Sequence, residues 1–539
     1  MDHSAQTEDP LPLEPSRSKC LYEPIVLLYC LIQVNHKYKN TRTPDLETDS
    51  HKSPKDAFFC FVDKLGQISD SAVGGDTVTS FAVLQPNVIE YRFASNNRDY
   101  QALVGVQEYI ASILTRLGKA TDSELKKKNW DNSKSIFSQI LQKVMSFSRQ
   151  AIRLYIGTLL EKCDFCIDAC NREGTDQVSQ SGETLLRAID RLYHSDFEEF
   201  IRIKARQDAD PANQSSWSKF RHAMGRLESY YIAVKVLISM RKRHPILFDD
   251  FIVTFVPSSP LGETPIVRSQ ASKIISPLDS NIKEIVSTES CQPSRKKPKA
   301  YDIDAKMKVL HKPKNFQPYV HVEVNLLDSI LREESKNNER IRFYGESEFG
   351  KYIGCSKPTC RLCKLYFDAH PSGVQVRPSH LNLYYNWRVP DIYKSDGPAA
   401  LKTRNNIVDH IIASIRNVAF ETIDTQVVTR KPRDSNTDPS DPLNSTDSGS
   451  SMGMIGDGDD DDDLTTMIDD LDLESGPDGN DSEGSIFDVS RSVESFSTLL
   501  TMPGNGKGSD GEEVEVVGID KDFDGVDDDD DDDDGGVAV

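Results

Sequence analysis

Four residues in the second half of the chain have the types and spacing of a metal site with an acid–base group beside it. His321 and Glu323 stand two apart, and Cys360 and Cys363, three apart, follow about forty residues later. Cysteines at i and i+3 lie nearly on one helical face, so both sulfurs can reach one ion, and a helix N-terminus favours their thiolate forms. With His321 as a neutral nitrogen ligand, three protein ligands leave the fourth tetrahedral position of a zinc ion open, as is typical of catalytic sites.

The spacing places Glu323 beside this metal and not on it. A carboxylate there can take a proton from a water at the open position and pass it to a leaving group. A purely structural zinc site has no use for such a group, so Glu323 favours an enzyme over the alternative, a non-catalytic zinc fold that acts as an interaction scaffold. Cys355 would favour the scaffold if it closed the fourth position, but near the end of a predicted strand we interpret it as a buried small apolar residue.

Local patterns place each pair of residues at the start of a helix. Apolar residues recur at helical spacing after His321 and Glu323, and a short extended stretch precedes them. The residues "KYIG" at 351–354 predict a strand, and Cys360 and Cys363 open the helical pattern that follows it. The predicted order is therefore strand, His-x-Glu at a helix start, strand, and Cys-x-x-Cys at a second helix start.

This arrangement resembles the cytidine-deaminase-like superfamily of zinc-dependent deaminases, whose signature is His-x-Glu followed by Pro-Cys-x-x-Cys. The surrounding sequence, "YIGCSKPTCRLCKLYF" and then "VRPSHLNLYYNW", is similar to that of a fungal expansion of the superfamily related to bacterial deaminase toxins. The resemblance covers His321 to Trp387. The chain departs from the general signature in one respect, because Thr359 separates Pro358 from Cys360. That departure affects the turn into the helix and not the ligand spacing.

The resemblance implies a three-layer α/β core, a mixed sheet with flanking helices. It also implies a zinc ion (Zn2+) held by His321, Cys360 and Cys363, with Glu323 as the proton shuttle. The implied activity is hydrolytic deamination of cytosine or adenine in a nucleic acid or nucleotide. His380 stands where the resemblance suggests a substrate-side residue, and a structural histidine is the open alternative.

The superfamily sheet starts with a hairpin before the His-x-Glu helix, and its second strand often ends in a substrate-contacting Asn. Nothing just before His321 fits a hairpin, whereas residues 76–96 do, with β-branched and aromatic runs on both sides of a Gln-Pro-Asn turn. We therefore expect this distant hairpin to supply the first two strands and Asn96 to contact substrate. The helical stretch from about Asp99 to Asp250 is then an insertion. The alternative is a separate helical domain that carries its own hairpin.

Composition divides the chain into five parts. They are a loose N-terminus (1–18), a mainly helical region that contains the hairpin (19–255), a linker with a basic run from Arg295 to Lys299 (256–300), the zinc domain (301–428) and an acidic tail (429–539). From residue 451 onward 30 acidic residues face three basic ones, so the net charge of −22 belongs to the tail and the remainder is mildly basic. Such a tail cannot bury enough apolar surface to offset its ordering entropy, which predicts disorder.

Other sequence features indicate the cellular compartment and the partners of the protein. We expect no signal peptide, because the first residues lack a basic start and an apolar core. The longest apolar run is too short for a membrane span, and the 10 cysteines are too sparse for a disulfide scaffold. We expect a soluble protein of the cytoplasm, the nucleus or both, with no membrane partner; its oligomeric state is open. The mildly basic part suits a nucleic acid or nucleotide substrate, while the acidic tail suits a basic protein partner or competition with nucleic acid.

Overall fold

The structure is a computed structural model of the chain. It describes residues 10–34, 38–39, 53–85, 87–126, 134–159, 216–268, 274, 303–310, 312, 315–425 and 427–429. The predicted acidic tail beyond residue 429 and the basic run from Arg295 to Lys299 lie outside the described residues. Within the described part, no helix combines the length and the apolar character that crossing a membrane requires.

Helices and strands alternate along most of the described chain. In chain order they are α1 (Pro15–Val34), β1 (Tyr38–Lys39), α2 (Pro54–Ser69), β2 (Thr79–Leu84), β3 (Ile89–Ser95), α3 (Tyr100–Gly118), α4 (Ile136–Phe147), α5 (Ser216–Arg243), β4 (Phe251–Val256), α6 (Ile303–Leu310), α7 (Val322–Asn337), α8 (Glu346–Phe349), β5 (Tyr352–Cys355), α9 (Arg361–Ala369), β6 (Gln375–Val376), α10 (Gly397–Thr425) and β7 (Val428–Thr429). Short 3-10 turns cover Pro245–Phe248 and Lys394–Asp396.

A mixed sheet of five strands, in the order β4-β3-β2-β5-β6, lies at the centre of the described residues. Strand β2 is antiparallel to both β3 and β5, whereas β4 runs parallel to β3 and β6 parallel to β5. The predicted hairpin is β2 and β3, and Phe81 of β2 stands opposite Gly354 of β5. The hairpin therefore pairs directly with the strand that leads to the two cysteines.

Helices cover both faces of this sheet, because the apolar side chains of its strands alternate. Tyr91 and Phe93 of β3 belong to a core with α2, α3, α4 and α5, which we name the insertion face. Ala94 of β3 and Ile353 of β5 belong to a second core with α1, α7, α9 and α10, which we name the site face. The three-layer α/β fold with a mixed sheet and flanking helices, predicted from the sequence, is confirmed.

The helical stretch after the hairpin connects two neighbouring strands of this sheet. Helices α3, α4 and α5 lie between β3 and β4 in the chain, and β4 pairs with β3. Helix α1, in contrast, packs on α10 in the site face. One sheet thus takes strands from the expected helical region (19–255) and from the expected zinc domain (301–428), which is the arrangement expected if the hairpin belongs to the zinc-domain sheet and the helices after it are an insertion.

The ends of the expected domains differ from the structure. Helix α1 begins at Pro15, and Leu11 forms a β-bridge with Ile392, so the end of the expected loose N-terminus is packed against the fold. The first part of the expected linker is packed as well. The Ser259 hydroxyl accepts a hydrogen bond from the Val320 amide at 3.2 Å. The chain after β4 therefore runs beside the start of α7.

Candidate metal centre

The two helices that carry the predicted ligands each begin at one of these residues. His321 is the N-cap residue of α7 in extended conformation, and its carbonyl accepts the first helical hydrogen bond, from the Asn325 amide at 2.9 Å. Cys360 is the N-cap residue of α9, and its sulfur accepts a hydrogen bond from the Cys363 amide at 3.4 Å. A sulfur that caps a helix in this way meets the positive end of the helix dipole, which stabilises the thiolate.

The structure brings the three predicted ligands together. His321 Nδ1 lies 3.5 Å from the Cys360 sulfur and 3.6 Å from the Cys363 sulfur. All three donor atoms lie within 4.8 Å of one another, and all three residues are buried. Zinc bonds of about 2.3 Å to sulfur and about 2.0–2.1 Å to nitrogen place a sulfur and a nitrogen ligand roughly 3.5 Å apart at a tetrahedral angle. The donor set therefore fits a zinc ion.

Glu323 lies next to this donor set and is not a member of it. One of its carboxylate oxygens is 3.8 Å from the Cys363 sulfur. Burial, and then the negative charge of Cys360, raise the pKa of Glu323 to about 7, while His321 acts in the opposite direction. A buried carboxylate with a pKa near neutrality can both accept and donate a proton.

Cys360 and Cys363 belong to the cluster of donor atoms, and Cys355 does not, although all three cysteines are buried. Burial acts to raise the pKa of Cys360, but hydrogen bonding with Cys363 and the charge of His321 outweigh it and hold that pKa well below its usual value. Burial and the neighbouring Cys360 raise the pKa of Cys363 well above its usual value. Burial raises the pKa of Cys355 far above its usual range, and this thiol is not among the clustered donor atoms. Cys355 packs in the apolar core of the site face. The cluster found among the described residues thus supplies three donors and not four.

Asn96, predicted to contact substrate, lies immediately after β3 and reaches the start of α7. Its side-chain oxygen accepts a hydrogen bond from the Val322 amide at 3.0 Å, and its side-chain nitrogen donates to the Gly75 carbonyl at 2.9 Å. The residue that ends the hairpin therefore holds the backbone between His321 and Glu323. Its contact with substrate stays a prediction.

His380, the second predicted substrate residue, is buried beside the turn that leads to Cys360. Its Nδ1 accepts a hydrogen bond from the Asn382 amide at 2.9 Å, and its own amide donates to the Thr359 carbonyl at 3.2 Å. Its ring centroid lies 5.9 Å from that of Tyr384. These contacts give His380 a structural role near the site, and its contact with substrate stays a prediction.

Thr359, the residue inserted before Cys360, contacts the segment that follows β6. Thr359 forms a parallel β-bridge with Ser379, and its amide donates to the Pro378 carbonyl at 3.3 Å. The Arg361 amide donates to the Asn382 carbonyl at 2.9 Å. The segment that follows β6 thus holds the turn on both sides of Cys360, which accommodates the departure from the general signature.

Sequence reasoning missed two buried charged residues near the end of β5, Asp63 of α2 and Arg377 after β6. Asp63 is the acidic residue within the apolar run "AFFCFVDKLGQI", and such a residue in a buried helix needs a polar partner. That pattern was the available signal for Asp63. For Arg377 the sequence offers no comparable signal.

Comparison with known proteins agrees with this site. Residues 320–391 match a family model described as OTT_1508_deam-like deaminase. The matched range contains His321, Glu323, Cys360 and Cys363. The match and the His/Cys/Cys cluster together support a deaminase-like superfamily domain with a site that fits zinc. No curated protein and no solved structure matches the chain.

Proposed function

We propose that the protein is a zinc-dependent hydrolytic deaminase that replaces the amino group of cytosine or adenine, in a nucleic acid or nucleotide, with oxygen. One observation carries the proposal. Among the residues that the structure describes, a buried carboxylate, that of Glu323, stands beside a cluster of three and not four potential metal-ligand atoms. Three donors leave a position for a reactant, and a neighbouring carboxylate supplies proton transfer.

His321, through Nδ1, and the two thiolates of Cys360 and Cys363 would hold the zinc ion. When bound, the ion supplies Lewis acidity that lowers the pKa of a water molecule toward neutrality. Glu323 accepts a proton from the attacking water and delivers a proton to the departing amino nitrogen. The reaction consumes water, forms a carbon–oxygen bond, breaks the carbon–nitrogen bond of the amino group and releases ammonia.

Two half-buried aromatic rings near His321 support the proposal that the substrate is flat and aromatic. The ring of Tyr319 lies 5.1 Å from that of His321, centroid to centroid, and the ring of Tyr384 lies 6.1 Å from it. Bases that are taken out of a stack are held between aromatic or apolar side chains in such pockets. Trp387 and Tyr385 are buried in the core of the site face and serve packing.

The alternative function, a scaffold with a purely structural zinc, would need a fourth protein ligand. Cys355 was the candidate for that role, and its sulfur lies outside the cluster of donor atoms found among the described residues. The geometry therefore favours the enzyme.

The test incubates the purified full chain with single-stranded DNA, with RNA and with free cytidine and adenosine. Mass spectrometry then measures the mass increase that accompanies replacement of an amino group by oxygen. The parallel reactions identify both the base and whether a polymer is needed. We expect one of these substrates to be converted.

The matched variant is Glu323→Gln, which keeps the shape of the side chain and removes its proton transfer. We expect it to retain zinc by elemental analysis and to lose deamination by about 10²- to 10⁴-fold. Glu339→Gln, an exposed position just beyond the same helix, is the control and should deaminate like the parent. Equal activity of Glu323→Gln and the parent would contradict the assigned role.

A further inference from the structure

A buried charged pair holds the backbone just ahead of the ligand cysteines. Asp63 Oδ1 accepts a hydrogen bond from the Cys355 amide at 3.0 Å, and the Tyr352 hydroxyl donates to both Asp63 oxygens at 3.0 Å. Arg377 Nη1 donates to the carbonyls of Cys355 and Ser356, each at 3.1 Å. Arg377 Nε lies 3.7 Å from Asp63 Oδ2. We name these two residues the Asp63–Arg377 pair.

The sheet register explains how Arg377 reaches these carbonyls. Strands β5 and β6 are parallel, with Ile353 opposite Val376, so the residue after β6 emerges at the same edge as the end of β5. Asp63 comes from the opposite direction, out of α2 in the insertion face. Asp63 therefore accepts a hydrogen bond from the Cys355 amide, and Arg377 donates one to the Cys355 carbonyl. The two side chains come from different elements of the fold.

Close backbone packing leaves this segment little freedom to shift. A Cβ added to Gly66 of α2 would lie 2.7 Å from the Ser356 amide nitrogen and 2.7 Å from the Thr79 carbonyl oxygen. A Cβ added to Gly354 would lie 2.8 Å from the backbone nitrogen of Asp63. Only glycine allows α2 to approach so closely, and the pair is then fixed relative to the end of β5.

We propose that Asp63 and Arg377 are positioning residues for the metal centre. By fixing the backbone of Cys355 and Ser356, they set the direction of the four-residue turn from Ser356 to Thr359 and hence the place of the Cys360 sulfur relative to His321. Neither residue touches the donor atoms, and each acts through the backbone.

The burial of the pair accords with this role. The side chains of Asp63 and Arg377 are 5% and 10% exposed, and breaking a pair at such depth leaves a charge without compensation. Asp63 also lies 292 residues before Cys355 and outside the family match at 320–391. The metal centre thus depends on a helix that belongs to the N-terminal part of the chain.

The experiment compares the parent chain with Asp63→Asn and Arg377→Lys. Both variants keep a polar side chain of similar size and weaken the interaction between residues 63 and 377. After chelation of the native metal, each protein is titrated with Co²⁺, whose visible absorption reports ligand geometry, and zinc affinity is measured by competition with a chelator. We expect an altered cobalt spectrum and a zinc affinity lowered by about 10- to 100-fold, as for residues that orient metal ligands elsewhere.

The matched control is the Glu90–Arg92 pair of β3, with side chains 6% and 9% exposed and Nε to Oε1 at 2.8 Å. Arg92 contacts Glu333, about three turns along α7 from His321. Glu90→Gln and Arg92→Lys should leave the cobalt spectrum and the zinc affinity of the parent unchanged.

Three outcomes would overturn the proposal. They are a parent-like spectrum and affinity in both folded test variants, equal changes in the controls, and unfolding of both test variants while the controls fold. If only one test variant folds, its spectrum and affinity decide. The inference rests on the proposed metal centre but needs no substrate, so absence of deamination would leave this result intact.

Discussion

The two faces of the sheet use the same strands for different purposes. On the insertion face, β3 presents Tyr91 and Phe93 to a core of apolar side chains from α2 to α5. On the site face, the same strand presents Glu90 and Arg92 along with the small Ala94, and the helices above it carry the proposed metal ligands. The insertion face therefore stabilises the fold chiefly by apolar burial, whereas the site face combines burial with ionisable groups.

The proposed metal ligands lie on one face of the sheet. Both helices that begin at a proposed ligand, α7 and α9, lie on the site face and begin at the same edge of the sheet. Asp63 connects the two faces. It belongs to α2 on the insertion face, yet it accepts a hydrogen bond from the Cys355 amide at the end of β5. Changes on the two faces should thus separate loss of metal from loss of packing.

The largest effect is expected on the site face, from Cys360→Ser combined with Cys363→Ser. Zinc binding contributes about 10–16 kcal/mol in the closed four-ligand sites of zinc-finger peptides at neutral pH, so an open three-ligand site should still contribute several kcal/mol, and the variant loses two of its three ligands. Elemental analysis should find one zinc per chain in the parent and none in the variant, with a lower thermal transition. Cys60→Ser, at a buried cysteine of the insertion face, is the control and should keep its zinc. A zinc-loaded double variant would contradict the ligand assignment.

On the insertion face, Phe93→Ala should destabilise the fold without altering the metal centre. Phe93 is fully buried, and its ring stacks on Phe81 with centroids 5.3 Å apart. Truncating such a side chain costs about 3–5 kcal/mol. Denaturant unfolding should show this loss, while the cobalt spectrum of the folded variant matches the parent. A changed spectrum would show that the two faces are not separable.

The local features of the candidate site were predictable from the sequence, whereas contacts between distant parts of the chain were not. Cys-x-x-Cys and His-x-Glu predict helix starts because ligand spacing and helix periodicity are local properties, and the structure has His321 and Cys360 at those starts. The distant hairpin was found by its own alternation and turn. The packing of α1 on α10 and the Asp63–Arg377 pair escaped prediction, because contacts across hundreds of residues leave no local periodicity.

A smaller effect concerns the pH dependence of stability at Asp63. Burial, only partly offset by Arg377, raises the pKa of this carboxyl to about 6, against an ordinary value of 3.8. Between these values the folded state holds a proton that the unfolded state has released, so the contribution of Asp63 to stability falls as pH rises from about 4 to 6. The fall should be on the order of 2 kcal/mol and level off above that window.

Denaturant unfolding of metal-free protein, measured from pH 4 to pH 7, checks this expectation. Asp63→Asn cannot titrate, so the stability difference between parent and variant should change across the window and stay constant above it. Removing the metal first excludes the pH dependence of ligand binding. A difference that is constant over the whole range would contradict the raised pKa of Asp63.

The smallest expected effect comes from Leu381→Asn, which tests whether the site face also stores backbone strain. Leu381 has a φ of +60°, and the segment that carries it docks on the turn to Cys360 through Arg361, whose Nε donates to the Leu381 carbonyl at 2.9 Å. A left-handed conformation costs a residue such as leucine roughly 1–2 kcal/mol, whereas Asn tolerates it. Leu381→Asn keeps these backbone contacts and should stabilise the fold by up to about 1 kcal/mol. Leu261→Asn, an exposed leucine without a positive φ, is the control and should give no gain in denaturant unfolding. If Leu381→Asn stabilises the fold but weakens zinc binding, the strain helps to hold the metal centre; if it destabilises the fold, the left-handed turn carries no strain that Asn can relieve.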